Sequence, residues 1–223
     1  MTVQAARSVT LSVGGTPTTM TGEICTSSSA TEYYVDETAK QAIDPATAVT
    51  VYDGVTPLAA DAYVLDYTNG LLTLDVEPSG EVTITAKYIP LLTVAEAKAL
   101  DVVRPQAVFA DVTRLGDTAP RVSEIFKKCE LTLTHMHAVS EDLDTGGGTT
   151  SWESLLAAGE PFFINADLGG ETLRGWFVAD EESRSHGVEA DVQNATIRMK
   201  GVVRDCTGRP ATEQALFSIT TNA

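Results

Sequence analysis

Short runs rich in Val and Thr, punctuated by Gly, Pro, Asn and Asp, recur along the chain, the pattern of β-strands joined by turns. Arg7–Val13 alternates apolar and polar residues and stops at Gly14-Gly15. Thr16–Ala48 is more polar, with Cys25-Thr-Ser-Ser-Ser-Ala30 inside it, and predicts weak strands plus loop. Strands follow at Val49–Tyr52 (ending in Asp53-Gly54), Tyr63–Tyr67, Leu71–Val76 and Glu81–Ile89. Thr68-Asn69-Gly70 between two β-rich runs is a strong hairpin signal, because the turn needs residues that tolerate positive φ. Pro78-Ser79-Gly80 marks the next turn. The segment 49–90 therefore reads as a meander.

Thr93–Leu100 is ambiguous. Val-Ala-Glu-Ala-Lys-Ala-Leu favours helix on propensity, yet the stretch equally extends as a strand past Asp101-Val-Val103, and Pro105 disfavours an uninterrupted helix. Phe126–Ala138 alternates as a strand, with Cys129, Leu131, Leu133, His135 and His137 on one face. Before it lies a polar loop, Asp111–Arg121, of a length that in a compact domain marks function or mobility. One short helix is predicted over Ser151–Ala158. Thr150 caps it and Glu153 completes a capping box. Trp152, Leu155 and Leu156 form the apolar stripe that packs it against a sheet, and Gly159 stops it. Strands at Pro161–Ala166, Glu171–Ala179 and Val188–Val203 follow, the last two joined by an acidic tip, Asp180–His186. Residues after Cys206 read as a terminal arm. The expected fold is mostly β, two packed antiparallel sheets (a β-sandwich or half-barrel) with one short helix.

Composition adds bounds. The 223 residues are 43% apolar and 21% charged, unlike a disordered chain. The length suits one domain, or one domain with a sizeable insertion, and such a chain buries roughly 70–75% of its unfolded surface without disulfide or metal. Apolar runs fall far short of the ~20 residues of a membrane span, and Met1–Arg7 lacks an apolar signal core. A soluble chain without a signal peptide is expected.

Charge changes the picture more. There are 31 acidic and 15 basic residues, a net of −16, with 12 acids and 4 bases in residues 1–100 and 19 and 11 in residues 101–223. The acidity thus belongs to the whole surface rather than to a tail. Such a chain cannot supply the Lys/Arg footprint of a DNA or anionic-membrane binder; solubility is the plainest use of it. Cys25, Cys129 and Cys206 are odd in number and widely spaced, suggesting neither zinc knuckle nor disulfide framework but reduced thiols inside a cell.

Catalytic signatures are missing from the sequence: it has no GxSxG, GxxxxGK[ST], GxGxxG or HExxH motif. Gly146-Gly147-Gly148 precedes the predicted helix, but Glu141, Asp142, Asp144 and Glu153 surround it, which argues against an anion site. His135-x-His137 is a possible metal pair lacking a third ligand at readable spacing; His186 at an acidic tip reads as solvated. The paired acids Glu141-Asp142, Glu181-Glu182 and Glu189-x-Asp191 fall in turns or near strand ends, where solvated faces explain them. The reading is a non-enzyme with no cofactor.

Several pieces taken in order resemble the major tail tube proteins of long-tailed, non-contractile bacteriophages (siphophages). They are Tyr63-Val-Leu-Asp-Tyr-Thr-Asn-Gly-Leu-Leu-Thr-Leu74, Gly80-Glu-Val-Thr-Ile-Thr-Ala-Lys-Tyr88 and Ala110-Asp-Val-Thr-Arg-Leu-Gly-Asp117. A long strand, the short helix and a closing strand into Gly201-Val-Val203 follow. The resemblance covers about residues 49–205; residues 16–48 have no counterpart in it. It implies a single tail-tube domain over 1–205 (meander 49–90, tube core 91–205) and a C-terminal arm over 206–223. Six copies would form a ring whose inner sheets join into one continuous barrel, and rings would stack into a hollow tube.

Other expectations come with that resemblance. At four inner strands per subunit, about 4.8 Å spacing and about 40° tilt, a ring is roughly 48 Å across at the backbone, wide enough for double-stranded DNA. An acidic lumen would let DNA slide through without sticking. The family's stacking loop maps to Arg114, Leu115, Gly116, Asp117, Thr118, Ala119, Pro120 and Arg121. The expected partners are copies of itself, a tape-measure protein in the lumen during assembly, and terminator and distal tail proteins at the ends, with the product in the virion tail after assembly in the host cytoplasm. The alternative is a monomeric β-sandwich binding or decoration module on a virion or cell surface.

Overall fold

The computed structural model describes residues 9–111, 122–138, 142–144, 149–151, 159–167, 170–185, 194–209, 214–215 and 218–221. They divide between two seven-stranded antiparallel sheets and a few short pairs. Strand β1 (Val9–Gly14) pairs with β9 (Leu91–Asp111), and Gly14 stands opposite Leu91. Everything between leaves and returns at that point, where the Gly15 N–H donates to the Pro90 carbonyl at 2.8 Å.

The intervening segment builds its own sheet from β2 (Thr18–Ser27), β3 (Glu32–Val35), β4 (Thr50–Asp53), β5 (Thr56–Pro57), β6 (Tyr63–Asp66), β7 (Leu71–Leu74) and β8 (Val82–Tyr88). Their order is β5-β4-β8-β2-β3-β7-β6, which corrects the meander expected over 49–90. The hairpin β6–β7 forms as read and a further one, β4–β5, follows Asp53-Gly54, but β8 pairs with β4 and β2, and β7 with β3. The stretch expected to be weak strands and loop supplies the two central strands. Few of its residues are apolar, yet Met20, Cys25 and Val35 are all buried, and the ladder partner of Thr18 is Tyr88. Long-range pairing of this kind outweighs local strand propensity.

Local chemistry explains the turns. Tyr63 faces Leu74 and Asp66 faces Leu71, leaving a four-residue loop closed by the Gly70 N–H on the Asp66 carbonyl at 2.9 Å. The Asp66 carboxylate takes hydrogen bonds from the Thr68 N–H (2.9 Å), the Thr68 hydroxyl (2.6 Å) and Asn69 Nδ2 (2.8 Å). Gly70 has φ of 63°, and a Cβ there would lie 2.9 Å from the Gln41 carbonyl oxygen; only glycine fits both demands.

The second sheet contains β10 (Val122–Ala138), β13 (Phe162–Asp167), β14 (Glu171–Ser185), β15 (Asn194–Val202) and β18 (Ser218–Thr221) in the order β13-β1-β9-β10-β15-β14-β18. Because β13 also pairs with β14, the sheet curls until its pairings run in a cycle. Leu11, Val13, Leu131, Phe162, Ile164, Ala166, Leu173, Phe177 and Met199 are buried along it, each large side chain contributing about 1.5–3 kcal/mol. Thr93–Leu100 is strand, since Ala95 has Leu11 on one side and Ala138 on the other and two backbone ladders outweigh helix propensity.

Two boundaries move. β10 begins at Val122 rather than Phe126, and β14 runs to Ser185 rather than Ala179. The acidic tip is therefore mostly strand, held by pairing with β15 through Glu181 opposite Arg198 and Ser185 opposite Asn194. Among the described residues there is no α-helix, only a 3-10 turn at Thr38–Lys40. The helix expected over Ser151–Ala158 lies, beyond Ser151, outside them. Thr150, its expected cap, sits in β12 (Thr149–Ser151), opposite Leu143 of β11 (Asp142–Asp144). No helix among the described residues is long and apolar enough to cross a membrane.

Candidate functional site

The most distinctive feature of the curled sheet is where its pairing stops. Among the described residues, β9 beyond Ala97 pairs only with β10, and β14 beyond Phe177 pairs only with β15. Four strands, β9-β10-β15-β14, therefore run side by side past the curl. Their outer edges are β9 from Lys98 onward and β14 from Val178 to Ser185, without a ladder partner among the described residues. The β14 edge is about 26 Å long at about 3.3 Å per residue.

The rows across this section are Ala99–Thr134–Thr196–Ser183, Asp101–Thr132–Arg198–Glu181 and Val103–Glu130–Lys200–Val178. Leu131 and Met199, between the last two rows, are buried, whereas Arg198 and Lys200 are exposed. One face of β10 and β15 thus supports the core while the other meets solvent. Each exposed base stands opposite an acid in register: Lys200 opposite Glu130, and Arg198 opposite Glu181.

The two sheets meet at a second site. Phe163 and Trp176, cross-strand neighbours on β13 and β14, pack edge to face with centroids 5.4 Å apart and join the core of the first sheet with Ile89 and Cys206. The Arg204 guanidinium lies 5.0 Å from the Trp176 ring centroid. A Cβ on Gly14 would come within 2.5 Å of Ile89 Cγ2 and 2.9 Å of Phe163 Cβ, so a glycine is what lets the sheets approach. Arg174 spans the junction, donating from Nε to Asn165 Oδ1 at 2.9 Å and toward Gln41 Oε1 at 3.5 Å. Burial lowers its pKa, against an opposing pull from Asp66.

The terminal arm is tied across this junction. The Thr207 N–H donates to the Pro45 carbonyl at 2.9 Å, and Arg209 stacks on the Tyr63 ring at 4.0 Å while donating to the Tyr63 carbonyl. β17 (Gln214–Ala215) pairs with β16 (Arg204–Asp205). β18 pairs with β14, and the Ser218 hydroxyl meets both Thr68 Oγ1 and Asn69 Nδ2 at 3.0 Å.

Electrostatics in the first sheet are one-sided. Lys40 bridges Glu23 at 2.7 Å and Glu37 at 2.6 Å, and those hydrogen bonds raise its pKa. Asp53 holds the Pro78-Ser79-Gly80 turn by accepting from the Ser79 N–H (2.9 Å) and hydroxyl (3.0 Å) and from the Gly80 N–H; its pKa falls chiefly through the Ser79 amide. Burial, then Glu23 and Asp36, push the Cys25 thiol up to about 12.

Comparison with protein-family models, curated proteins and solved structures found no match to this chain.

The residues singled out in the sequence fall unevenly. The stacking-loop residues Arg114, Leu115, Gly116, Asp117, Thr118, Ala119, Pro120 and Arg121 lie outside the described residues, as do Trp152, Leu155, Leu156, His186 and Gly146–Gly148. The strands that flank the loop, β9 and β10, are in place. His135 and His137 are on β10, with His137 opposite Glu96. Glu181 and Glu182 are in β14, not in a turn. Sequence reading missed the Phe163–Trp176 junction and the Arg209 and Ser218 ties, whose partners are far along the chain. Paired aromatics on neighbouring strands flanking Asp167–Gly170 were the one available hint for the first.

Proposed function

We propose that this chain is a structural subunit of a siphophage-type tail tube, closing into rings of six that stack around a bore through which DNA passes. The observation that carries the reading is the four-stranded section whose two outer edges have no ladder partner among the described residues. Its strands alternate in direction, so β14 and β9 run oppositely, and β14 of one copy beside β9 of the next continues the antiparallel ladder. Exposed edges invite such pairing, and a head-to-tail interface that closes removes every one of them. Four strands per copy also match the count that gives a bore wide enough for DNA.

The charges refine the expected lumen. If the face bearing Arg198 and Lys200 lines the bore, its rows hold Asp101, Glu130 and Glu181 against those two bases. The bore is then nearly charge-balanced there, each base being offset by an acid across the strand, and the net repulsion of DNA comes from the −16 of each copy. The segment 112–121 between β9 and β10 serves as the ring-to-ring contact, and the tape-measure, terminator and distal tail proteins are the other partners. The protein then works without chemistry or cofactor, in the virion tail.

Light scattering on the eluting protein together with negative-stain microscopy tests this. Rings or hollow tubes are expected; a monomer at every concentration overturns the reading and favours a solitary binding module. Deleting residues 114–120 is expected to leave rings that no longer elongate.

A further inference from the structure

The β9–β10 hairpin runs past the rest of its sheet. Residues 104–111 and 122–129 pair with each other and with no other strand among the described residues. A two-stranded ribbon is marginal by itself in water, and among the described residues neither of its edges has a further ladder partner, which leaves backbone groups to be paired. Its charge also runs against that of the chain. Residues 104–111 and 122–129 hold three bases (Arg104, Lys127, Lys128) and two acids (Asp111, Glu124), whereas the whole chain is at −16.

The first sheet has the opposite character. Residues 16–90 hold eleven acids and two bases, and residues 41–86 contain no Lys or Arg. One of the two bases, Lys40, is already bound to Glu23 and Glu37. At one end of the sheet three turns converge: Asp53 holds Ser79, the Gly54 N–H donates to the Glu81 carbonyl, and the Asp75 N–H to the Ala62 carbonyl. That end gathers Asp53, Asp61, Asp75, Glu77 and Glu81 beside two valines, Val55 and Val76, that are 94% and 76% exposed.

We infer that the β9–β10 ribbon of one copy docks on this acidic, valine-bearing end of the first sheet of a second copy. The inference rests on the tube reading and names the acceptor surface for its stacking contact. Opposite charge selects the occupant and the valines give it an apolar seat. The contact joins unlike surfaces, so repeating it builds an open stack rather than a closed pair. Ionic contacts at exposed positions make assembly salt-sensitive.

Sedimentation velocity of the full chain tests the docking, using the wild type, E77K/E81K, K127E/K128E and the combined four-substitution variant. Glu77 and Glu81 are exposed in a loop and at a turn, so their exchange leaves the melting temperature unchanged. E77K/E81K is expected to weaken stacking about tenfold or more, and wild-type stacking to weaken comparably between about 50 and about 500 mM salt. The combined variant recovers assembly. Stacking unaffected by E77K/E81K, or no recovery in a combined variant whose circular dichroism is native, overturns the docking while wild-type tubes in the microscope keep the tube reading intact. A wild type that never assembles overturns both.

Discussion

The two sheets of this protein are finished to different degrees. The first, built by residues 16–90, ends in a two-residue strand, β5, and in a four-residue strand, β6, whose Tyr63 carbonyl is occupied by Arg209. Short or covered edges are a common way to prevent sheet-to-sheet association. The second carries two long strands, β9 beyond Ala97 and β14 beyond Phe177, whose outer sides have no ladder partner among the described residues. Both have well-buried cores, so the contrast is not one of stability. The first sheet ends in short or covered edges, whereas in the proposed ring the second is continued by another copy.

The junction offers the strongest way to break that contrast. Phe163→Ala removes the side chain that belongs to both sheets and is expected to cost about 3–5 kcal/mol, splitting one calorimetric transition into two. A single transition at an unchanged temperature would mean the sheets are not energetically joined there. Gly14→Ala is expected to cost about 1–3 kcal/mol by forcing Ile89 and Phe163 apart, read as a lower denaturant midpoint. Arg209→Ala loses its stacking on Tyr63 and one hydrogen bond, about 1–2 kcal/mol, and is expected to raise hydrogen exchange in β6 while β9 stays as it was.

Two smaller effects sharpen the account of the first sheet. The thiol of Cys25, pushed up to about 12 from its ordinary 9.0, stays protonated in the fold while the unfolded chain ionises above 9. Its contribution is whole below pH 9 and fades as pH rises toward 12; alkylation at pH 8 is expected to label Cys25 only after denaturant is added. Asp53 has the opposite sign. Its pKa lies below the ordinary 3.8, so its contribution is present above that value and fades as the solution is acidified through the folded-state pKa. Asp53→Ala is expected to lower the melting temperature at pH 7, with the gap to wild type narrowing below about pH 4.

Turn chemistry was the most legible part of the sequence. Asn69-Gly70 marked a hairpin and Asp53-Gly54 a strand end, and the structure contains both turns, because the residues that permit those turns sit within the turns. Strand partnership was not legible, because it is set by residues far away. Thr18–Ser27 looks too polar to be central until β8 and β3 flank it, and Ala95–Ala99 looks helical until β1 and β10 do. The charged run Glu181–Arg184 resembled a loop for the same reason: its pairing with β15 cannot be seen locally. The edges left without a partner among the described residues were invisible in sequence altogether, since an edge is defined by the absence of a neighbour.

The central claim is that β14 of one copy pairs with β9 of the next. Cysteines at Ala99 and Ser183, the two ends of one four-strand row and so three strand spacings apart within one chain, about 14 Å from each other, can be joined by a short thiol crosslinker only between copies. The account predicts a ladder of covalent multimers ending at a closed hexamer, absent when either cysteine is left out. A double-cysteine protein that remains monomeric after crosslinking at high concentration contradicts it.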